Sequence, residues 1–242
     1  MNLIIDVGNT RVKAALFEEY RLVQVIVFNK TRIISEVKKI IKNYRITSTI
    51  LSSVALMPLK MLEKLKTLTD FTVVSSKIRT PFKNLYATPN TLGVDRIALV
   101  FGAVVKFSKQ NVLIIDAGTC ITFDFVNKEA EYLGGAISPG IEMRYKSLHA
   151  FTSKLPLLET HKPNYFIGNN TNESIHSGIV NGVIQEIEGV INQYKKEYLH
   201  LTVVLTGGNT NFLSKQLKSS IFANQNFLLE GLNEILIFNK NK

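Results

Sequence analysis

A single cysteine in 242 residues excludes an intramolecular disulfide framework and any zinc site built from several cysteines. Cys120 itself lies inside a strand-like block and reads as a small apolar packing residue rather than a reactive thiol. Long hydrophobic runs are missing as well. The longest, Ile97 to Val105, is bounded by Arg96 and Lys106 and falls far short of the roughly 20 residues that cross a bilayer. Asn2-Leu3-Ile4-Ile5 is already strand-like, with no basic leader or small-residue cleavage site before it, so a soluble cytoplasmic protein is expected. No Gly-x-x-x-x-Gly-Lys-Ser/Thr occurs, which excludes a Walker-type phosphate loop. The four histidines, His149, His161, His176 and His200, have no ligand spacing and accompany no Ser or Cys nucleophile, and they read as surface or partly buried residues.

Acidic residues are the scarcer sign of charge, 19 against 29 Lys and Arg, for a net charge of +10. The basic excess is scattered through helix-like segments such as Glu36–Lys42 and Tyr194–Glu197. No stretch interleaves it with aromatics, and no helix-turn-helix or metal-finger spacing accompanies it. Solvated helix faces are therefore expected, with no nucleic acid and no membrane as partner. The excess still favours anionic small substrates.

What is present is a repeat. Leu3-Ile4-Ile5-Asp6-Val7-Gly8-Asn9-Thr10 and Leu113-Ile114-Ile115-Asp116-Ala117-Gly118-Thr119 stand about 110 residues apart. Each is an apolar β-rich run ending in Asp, followed by a Gly turn with a hydroxyl and a second β-rich segment. Glycine lets backbone N–H groups converge on a phosphate, and Thr adds a donor. A carboxylate belongs beside a polyphosphate only where a cation such as Mg²⁺ or K⁺ bridges them. Lys13, reached by alternation along the second strand, brings a point charge to the phosphates. Taken singly, each block is equally a buried strand and a tight turn; the duplication favours a nucleotide held between two related halves.

Periodicity predicts strands at 2–6, 11–17 and 22–28, a helix over Thr31–Tyr44, a strand at Thr49–Ser53, a helix over Pro58–Leu68 and a strand at Phe71–Ser75. A loop broken by Pro81 and Pro89 leads to Gly93-Val94-Asp95-Arg96, which opens a helix to about Phe107. The second half repeats the order: strands at Val112–Asp116, Thr119–Val126 and Glu131–Ile137, and a helix from about Ile141. Helix follows over Asn172–Tyr198 and a strand over Thr202–Leu205. A helix from Asn211, a strand near Phe227–Leu228, a helix around Leu232–Ile237 and a frayed tail over Asn239–Lys242 complete the expectation. Two domains follow, 1–110 and 111–242, each a mixed sheet flanked by helices, with ligands in the cleft between them.

Asp95 is the candidate general base, since it follows a Gly turn at a helix start beside Arg96; a simple helix cap is the alternative. Arg96 is a candidate grip for a carboxylate or a transferring phosphoryl group. Thr206-Gly207-Gly208-Asn209 lets backbone lie flat against a ring, a candidate adenosine platform, and equally serves as an ordinary strand-to-helix turn. Thr171 and Ser174 read first as helix-capping residues.

These residues resemble the type III pantothenate kinases of the acetate and sugar kinase, Hsc70 and actin superfamily. Asp6-Val7-Gly8-Asn9-Thr10-Arg11-Val12-Lys13 fits the family's Asp-x-Gly-Asn-Thr-x-x-Lys block, Gly93-Val94-Asp95-Arg96 its Gly-x-Asp-Arg, and Asp116-Ala117-Gly118-Thr119 its Asp-x-Gly-Thr. The resemblance implies two duplicated ribonuclease H-like, actin-like ATPase domains. It implies ATP-dependent phosphorylation of pantothenate, the first step of coenzyme A biosynthesis, in a cytoplasmic homodimer requiring Mg²⁺ and K⁺ or NH₄⁺. By the same resemblance Asp6 to Lys13 bind ATP, with Asp6 near Mg²⁺, if only through water. Thr119 joins them, Gly207 and Gly208 are added as the adenosine platform, and Asp116 holds the monovalent cation. Asp95 is the proton acceptor, and Tyr86, Gly93, Val94, Asp95, Arg96 and Thr171 contact pantothenate. The rivals are a superfamily kinase or phosphatase with another acceptor, and a non-catalytic nucleotide-responsive regulator.

Overall fold

The computed structural model describes residues 1–53 and 57–240. They form two compact units: Met1–Ser108 with Ala130–Tyr132 and Asn226–Lys242, and Lys109–Glu129 with Leu133–Gln225.

In the first unit β1 (Asn2–Val7), β2 (Val12–Glu18) and β3 (Arg21–Phe28) form an antiparallel meander. After α1 (Ile33–Asn43), β4 (Ser48–Ser53) joins β1 in parallel; after α2 (Leu59–Lys66), β5 (Phe71–Val73) joins β4, for a sheet order β3-β2-β1-β4-β5. Alternation decides the two faces. Leu3, Ile5, Val7, Val12, Ala14, Leu16 and Leu51 pack with Ile33, Val37 and Ile40 of α1 and Leu65 of α2, each large aliphatic contributing roughly 2 kcal/mol by leaving water. The even-numbered residues of β1, Ile4 and Asp6, therefore point to the opposite face. There α8 (Phe227–Lys240) packs on β1 and β4, and α3 (Val94–Lys106) on α8 and β4. The short β6 (Lys83–Asn84) pairs with Glu131–Tyr132.

The second unit repeats the connectivity. β7 (Val112–Ala117) pairs antiparallel with β8 (Cys120–Val126) and parallel with β10 (Thr202–Thr206), in the order β11-β10-β7-β8-β9, where β9 is Glu131–Pro139 and β11 is Phe222–Ala223. Leu113, Ile115, Ala117, Ile121, Phe123, Phe125, Val203 and Leu205 pack with Ile141 and Tyr145 of α4 (Ile141–Ala150) and with Val183, Ile187 and Ile191 of α6 (Gly182–Glu197). Asp116 is thereby turned to the face away from this core.

Several elements depart from the sequence expectation. Phe227–Leu228 is the first turn of α8, not a strand, and the short strand lies upstream at Phe222–Ala223. α8 is buried nearly all round, at Phe227, Leu229, Gly231, Leu232, Asn233, Ile235 and Leu236, so it lacks the one-sided stripe by which a helix is recognised. It groups with the first unit because it crosses α3 closely: a Cβ on Gly102 would lie 3.2 Å from the Gly231 Cα. Phe101 and Phe238 add an edge-to-face pair at 5.5 Å. Asn239 and Lys240 of the expected tail continue the helix, Asn239 donating to the Ile235 carbonyl at 2.9 Å; the last two residues lie outside the described residues. The long helix expected over Asn172–Tyr198 is α5 (Thr171–His176), a π-turn over Ser177–Asn181 and then α6. The helix from Asn211 is the single turn α7 (Thr210–Leu213).

Candidate active site

Register places the chemistry of the first unit in one row. Asp6 on β1 lies opposite Lys13 on β2 and opposite Ser52 on β4, so the three side chains share the α3 and α8 face about 5 Å apart at Cβ. Asp6 is only 7% exposed. Burial pushes its carboxyl up to about 6 from the ordinary 3.8; Lys13 pulls it down, and the charge of Asp95 pushes it up again. Asp6 thus senses both Lys13 and Asp95. The turn between β1 and β2 is closed by the Gly8 N–H donating to the Arg11 carbonyl at 3.1 Å, which leaves Asn9, Thr10 and Arg11 exposed at its tip.

Asp95 lies in the first turn of α3, behind Gly93 as N-cap. Its Oδ1 accepts the Arg96 N–H at 2.8 Å, and the exposed N–H groups of the helix start favour its negative charge. The capping and catalytic readings are therefore compatible: a carboxylate held at a helix start is pre-oriented. Oδ1 also folds back over the Gly93 α-carbon, where any side chain would collide with it, giving the Gly-x-Asp spacing a steric cause. Arg96 is 6% exposed, and its guanidinium lies 5.6 Å from the Tyr86 ring centroid, within cation–π range. Tyr86 stacks in turn on Tyr132 at 6.1 Å. Of the expected pantothenate contacts, Tyr86, Gly93, Val94, Asp95 and Arg96 are thus gathered around the start of α3.

The second unit carries the corresponding row. Asp116 on β7 lies opposite Thr122 on β8 and Thr206 on β10. Thr119 is exposed at the β7–β8 turn, its carbonyl accepting the Gly140 N–H at 3.0 Å. Gly207 has φ +95°, and a Cβ there would run into Asp116 Oδ1 and the Ala117 carbonyl, so glycine is required by both conformation and contact. A Cβ on Gly208 would meet open space. Thr171 is the exposed first residue of α5, in the second unit. The cap expected of Thr171 or Ser174 is made instead by Asn170, whose side chain accepts the Glu173 N–H at 3.0 Å; Asn reaches this bond from the position that precedes the helix.

Sequence reasoning missed three hydroxyls. Ser52 Oγ, Thr122 Oγ1 and Thr206 Oγ1 are buried and find no hydrogen-bond partner among the described residues, although each flanks one of the two acids. Leaving such a group unsatisfied costs about 1–3 kcal/mol. The signal lay in Ile50-Leu51-Ser52 and Val204-Leu205-Thr206, apolar runs that end in a hydroxyl where β1 and β7 end in an acid. Among the described residues no three His, Cys, Asp or Glu side chains gather as metal ligands.

The family model described as type III pantothenate kinase matches residues 2–193. A type III pantothenate kinase of Christiangramia forsetii is 49% identical over 241 residues, 99% of each chain, and one of Flavobacterium johnsoniae is 44% identical over 235 residues, 97% of this chain and 96% of that one. Among solved structures, a candidate Baf family transcriptional activator from Campylobacter jejuni superposes with TM-score 0.66 at 21% identity, covering 99% of this chain and 100% of that one. A glucokinase from an Antarctic psychrotroph does so with TM-score 0.52 at 11% identity, covering 98% of each. At these identities the structures speak for the fold alone, the duplicated mixed-sheet architecture of the sugar kinases and actin-like ATPases.

Proposed function

We infer the roles of individual residues from one premise: the chain belongs to the type III pantothenate kinase family. It phosphorylates pantothenate with ATP, the opening step of coenzyme A biosynthesis. Mg²⁺ accompanies the nucleotide, as in kinases generally, and supplies neutralisation of charge on the transferring phosphoryl group.

In this reading the β1–β2 turn, Asp6 to Lys13, binds the triphosphate. Its exposed backbone receives phosphate oxygens, Lys13 contributes a positive charge, and Asp6 faces the metal. Asp95 accepts the proton of the pantothenate hydroxyl, and Arg96, steadied on Tyr86, pairs with the substrate carboxylate. The observation carrying this assignment is that Asp6 lies opposite Lys13 and feels the charge of Asp95, so acid, cation and base are grouped within one unit. In the second unit we assign Thr119 to the nucleotide, Gly207 and Gly208 to the adenosine, Asp116 to a monovalent cation, and Thr171 to pantothenate. We further propose a cytoplasmic homodimer; among the described residues no helix is long and apolar enough to cross a membrane.

Little covalent assistance is needed, because phosphoryl transfer is accelerated mainly by in-line positioning and by neutralising charge. The test is to incubate the protein with Mg-ATP, K⁺ and a panel of hydroxyl acceptors, and to identify the product by mass. Phosphopantothenate alone is expected. Phosphate on a different acceptor, or on none, would overturn the reading.

A further inference from the structure

A guanidinium grips a carboxylate well only when it is held in one place, and we propose that Tyr132 is the positioning residue that fixes Arg96, acting through the ring of Tyr86. The inference rests on the reading that Arg96 pairs with the carboxylate of pantothenate, and deepens it by naming what sets the preference for an acid at that end of the substrate.

Three observations carry it. The Arg96 guanidinium lies 5.6 Å from the Tyr86 ring centroid, close enough for the ring face to attract it. Tyr86 is itself half-buried and leads into the exposed stretch 87–91, so its ring needs a second surface to hold its plane. Tyr132, with no exposed surface, supplies that surface: the two rings stack at 6.1 Å with 23° between their planes, and Phe82 packs edge-to-face with Tyr132 at 6.3 Å. Finally, the backbone is tied at the same place. The Tyr86 N–H donates to Asn84 Oδ1 at 3.0 Å, and the Leu85 N–H donates to the Tyr132 carbonyl at 3.0 Å, continuing the parallel pairing of β6 with Glu131–Tyr132. All of these residues belong to the first unit.

The stack works by ordering the cation in advance. An arginine side chain has several rotatable bonds, and each one fixed before the substrate arrives leaves less freedom to lose on binding. Because the carboxylate is remote from the reacting hydroxyl, such ordering acts on KM for pantothenate and leaves kcat nearly untouched. Leucine at 132 would fill much of the volume without a flat face, and Tyr86 and Arg96 would no longer share one orientation.

The test measures steady-state kinetics on pantothenate and on its alcohol analogue, in which a hydroxymethyl group replaces the carboxylate, and compares kcat/KM for the two acceptors. Arg96→Gln should lose most of the wild-type preference for the acid. Tyr132→Leu should lose about five- to tenfold of it, through a higher KM for pantothenate, with kcat and KM for ATP within about twofold of wild type. Tyr132→Phe keeps the face and should keep the preference; should the leucine variant not fold, Tyr132→Met carries the same expectation. Phe101→Leu, which opens the Phe101–Phe238 pair of the same unit away from the stack, should lower the thermal midpoint and leave the preference unchanged. If Arg96→Gln keeps the preference, the carboxylate reading falls and the proposal with it. If Arg96→Gln loses it while the Tyr132 variants keep it, the proposal alone falls. An equal loss in Phe101→Leu, or a fall in kcat on both acceptors, would mark Tyr132 as structural and overturn the proposal, and a loss in Tyr132→Phe as large as in Tyr132→Leu would place the effect in the hydroxyl and overturn the stack.

Discussion

The two units place an acid at the same point of the same strand-turn-strand design and surround it differently. In the first, Asp6 has Lys13 on one side and Ser52 on the other; in the second, Asp116 has Thr122 and Thr206. The first row pairs an acid with a cation, whereas of the three side chains of the second only Asp116 is ionisable. The charged difference between the rows is a single exchange, Lys for Thr on the second strand of the hairpin. In the proposed reading the first row receives the polyphosphate with its metal and the second the cation assigned to Asp116. The first row also has Asp95 nearby, at the start of the helix that covers its face. The scaffold occurs twice, and a few side chains distinguish the two copies.

The comparison breaks most severely at Asp95. Asp95→Asn keeps the carbonyl oxygen that accepts the Arg96 N–H, so the fold and ATP binding should survive. Turnover should fall about 10²–10⁴-fold, the usual worth of a positioned base. Steady-state kinetics beside calorimetric ATP binding will check this, and wild-type turnover would remove Asp95 from the mechanism.

The next effect concerns the cost of burying Asp6. Its carboxyl is raised, by burial first, to about 6 from 3.8. Folding is then favoured by the protonated form: this stabilisation is fully present below about pH 3.8 and is lost as pH rises through about 6. The difference corresponds to about 3 kcal/mol. In metal-free buffer Asp6→Asn should therefore be more stable than wild type by about that amount at pH 7, with the gain gone below pH 4. Urea unfolding at the two pH values measures it, and an equal difference at both would refute the burial account. With the metal role proposed for Asp6, the same variant should be inactive.

Lys13→Thr makes the first row resemble the second. Removing one charge-assisted contact of about 1.5–3 kcal/mol should lower kcat/KM for ATP roughly 10- to 100-fold while leaving the K⁺ response unchanged. A changed K⁺ response would mean that the two rows are not functionally separate.

Much of this was legible in the sequence because it is local. The paired Asp-x-Gly blocks, the strands around them and the Gly-x-Asp-Arg helix start are each encoded within about ten residues. The flanking hydroxyls were not legible, since Ser52 and Thr206 meet their acids only through parallel pairing across a crossover helix, and no short window contains both partners. α8 was misread for a related reason. Its apolar residues cover nearly the whole circumference to suit α3 and the sheet, which erases the helical stripe, and its membership of the first unit depends on the close approach of Gly231 to Gly102, far apart in the chain. At α5, Thr171 and Asn170 are both plausible caps by composition, and only backbone geometry selects Asn170.

The smallest effect tests whether the unpaired hydroxyl of the first row is a structural residue or a waiting ligand group. Ser52 is fully buried and its Oγ unsatisfied, so in the ligand-free protein Ser52→Ala deletes a desolvated hydroxyl and leaves only a void of about one oxygen atom. It should change stability by about 1 kcal/mol or less, in the stabilising direction. A purely structural hydroxyl predicts nothing further. A hydroxyl that finds its partner only when Mg-ATP is bound predicts that nucleotide stabilises the alanine variant less than wild type, with Ser52→Thr intermediate. Thermal midpoints with and without Mg-ATP decide between them: equal nucleotide shifts in wild type and alanine variant would make Ser52 a bystander.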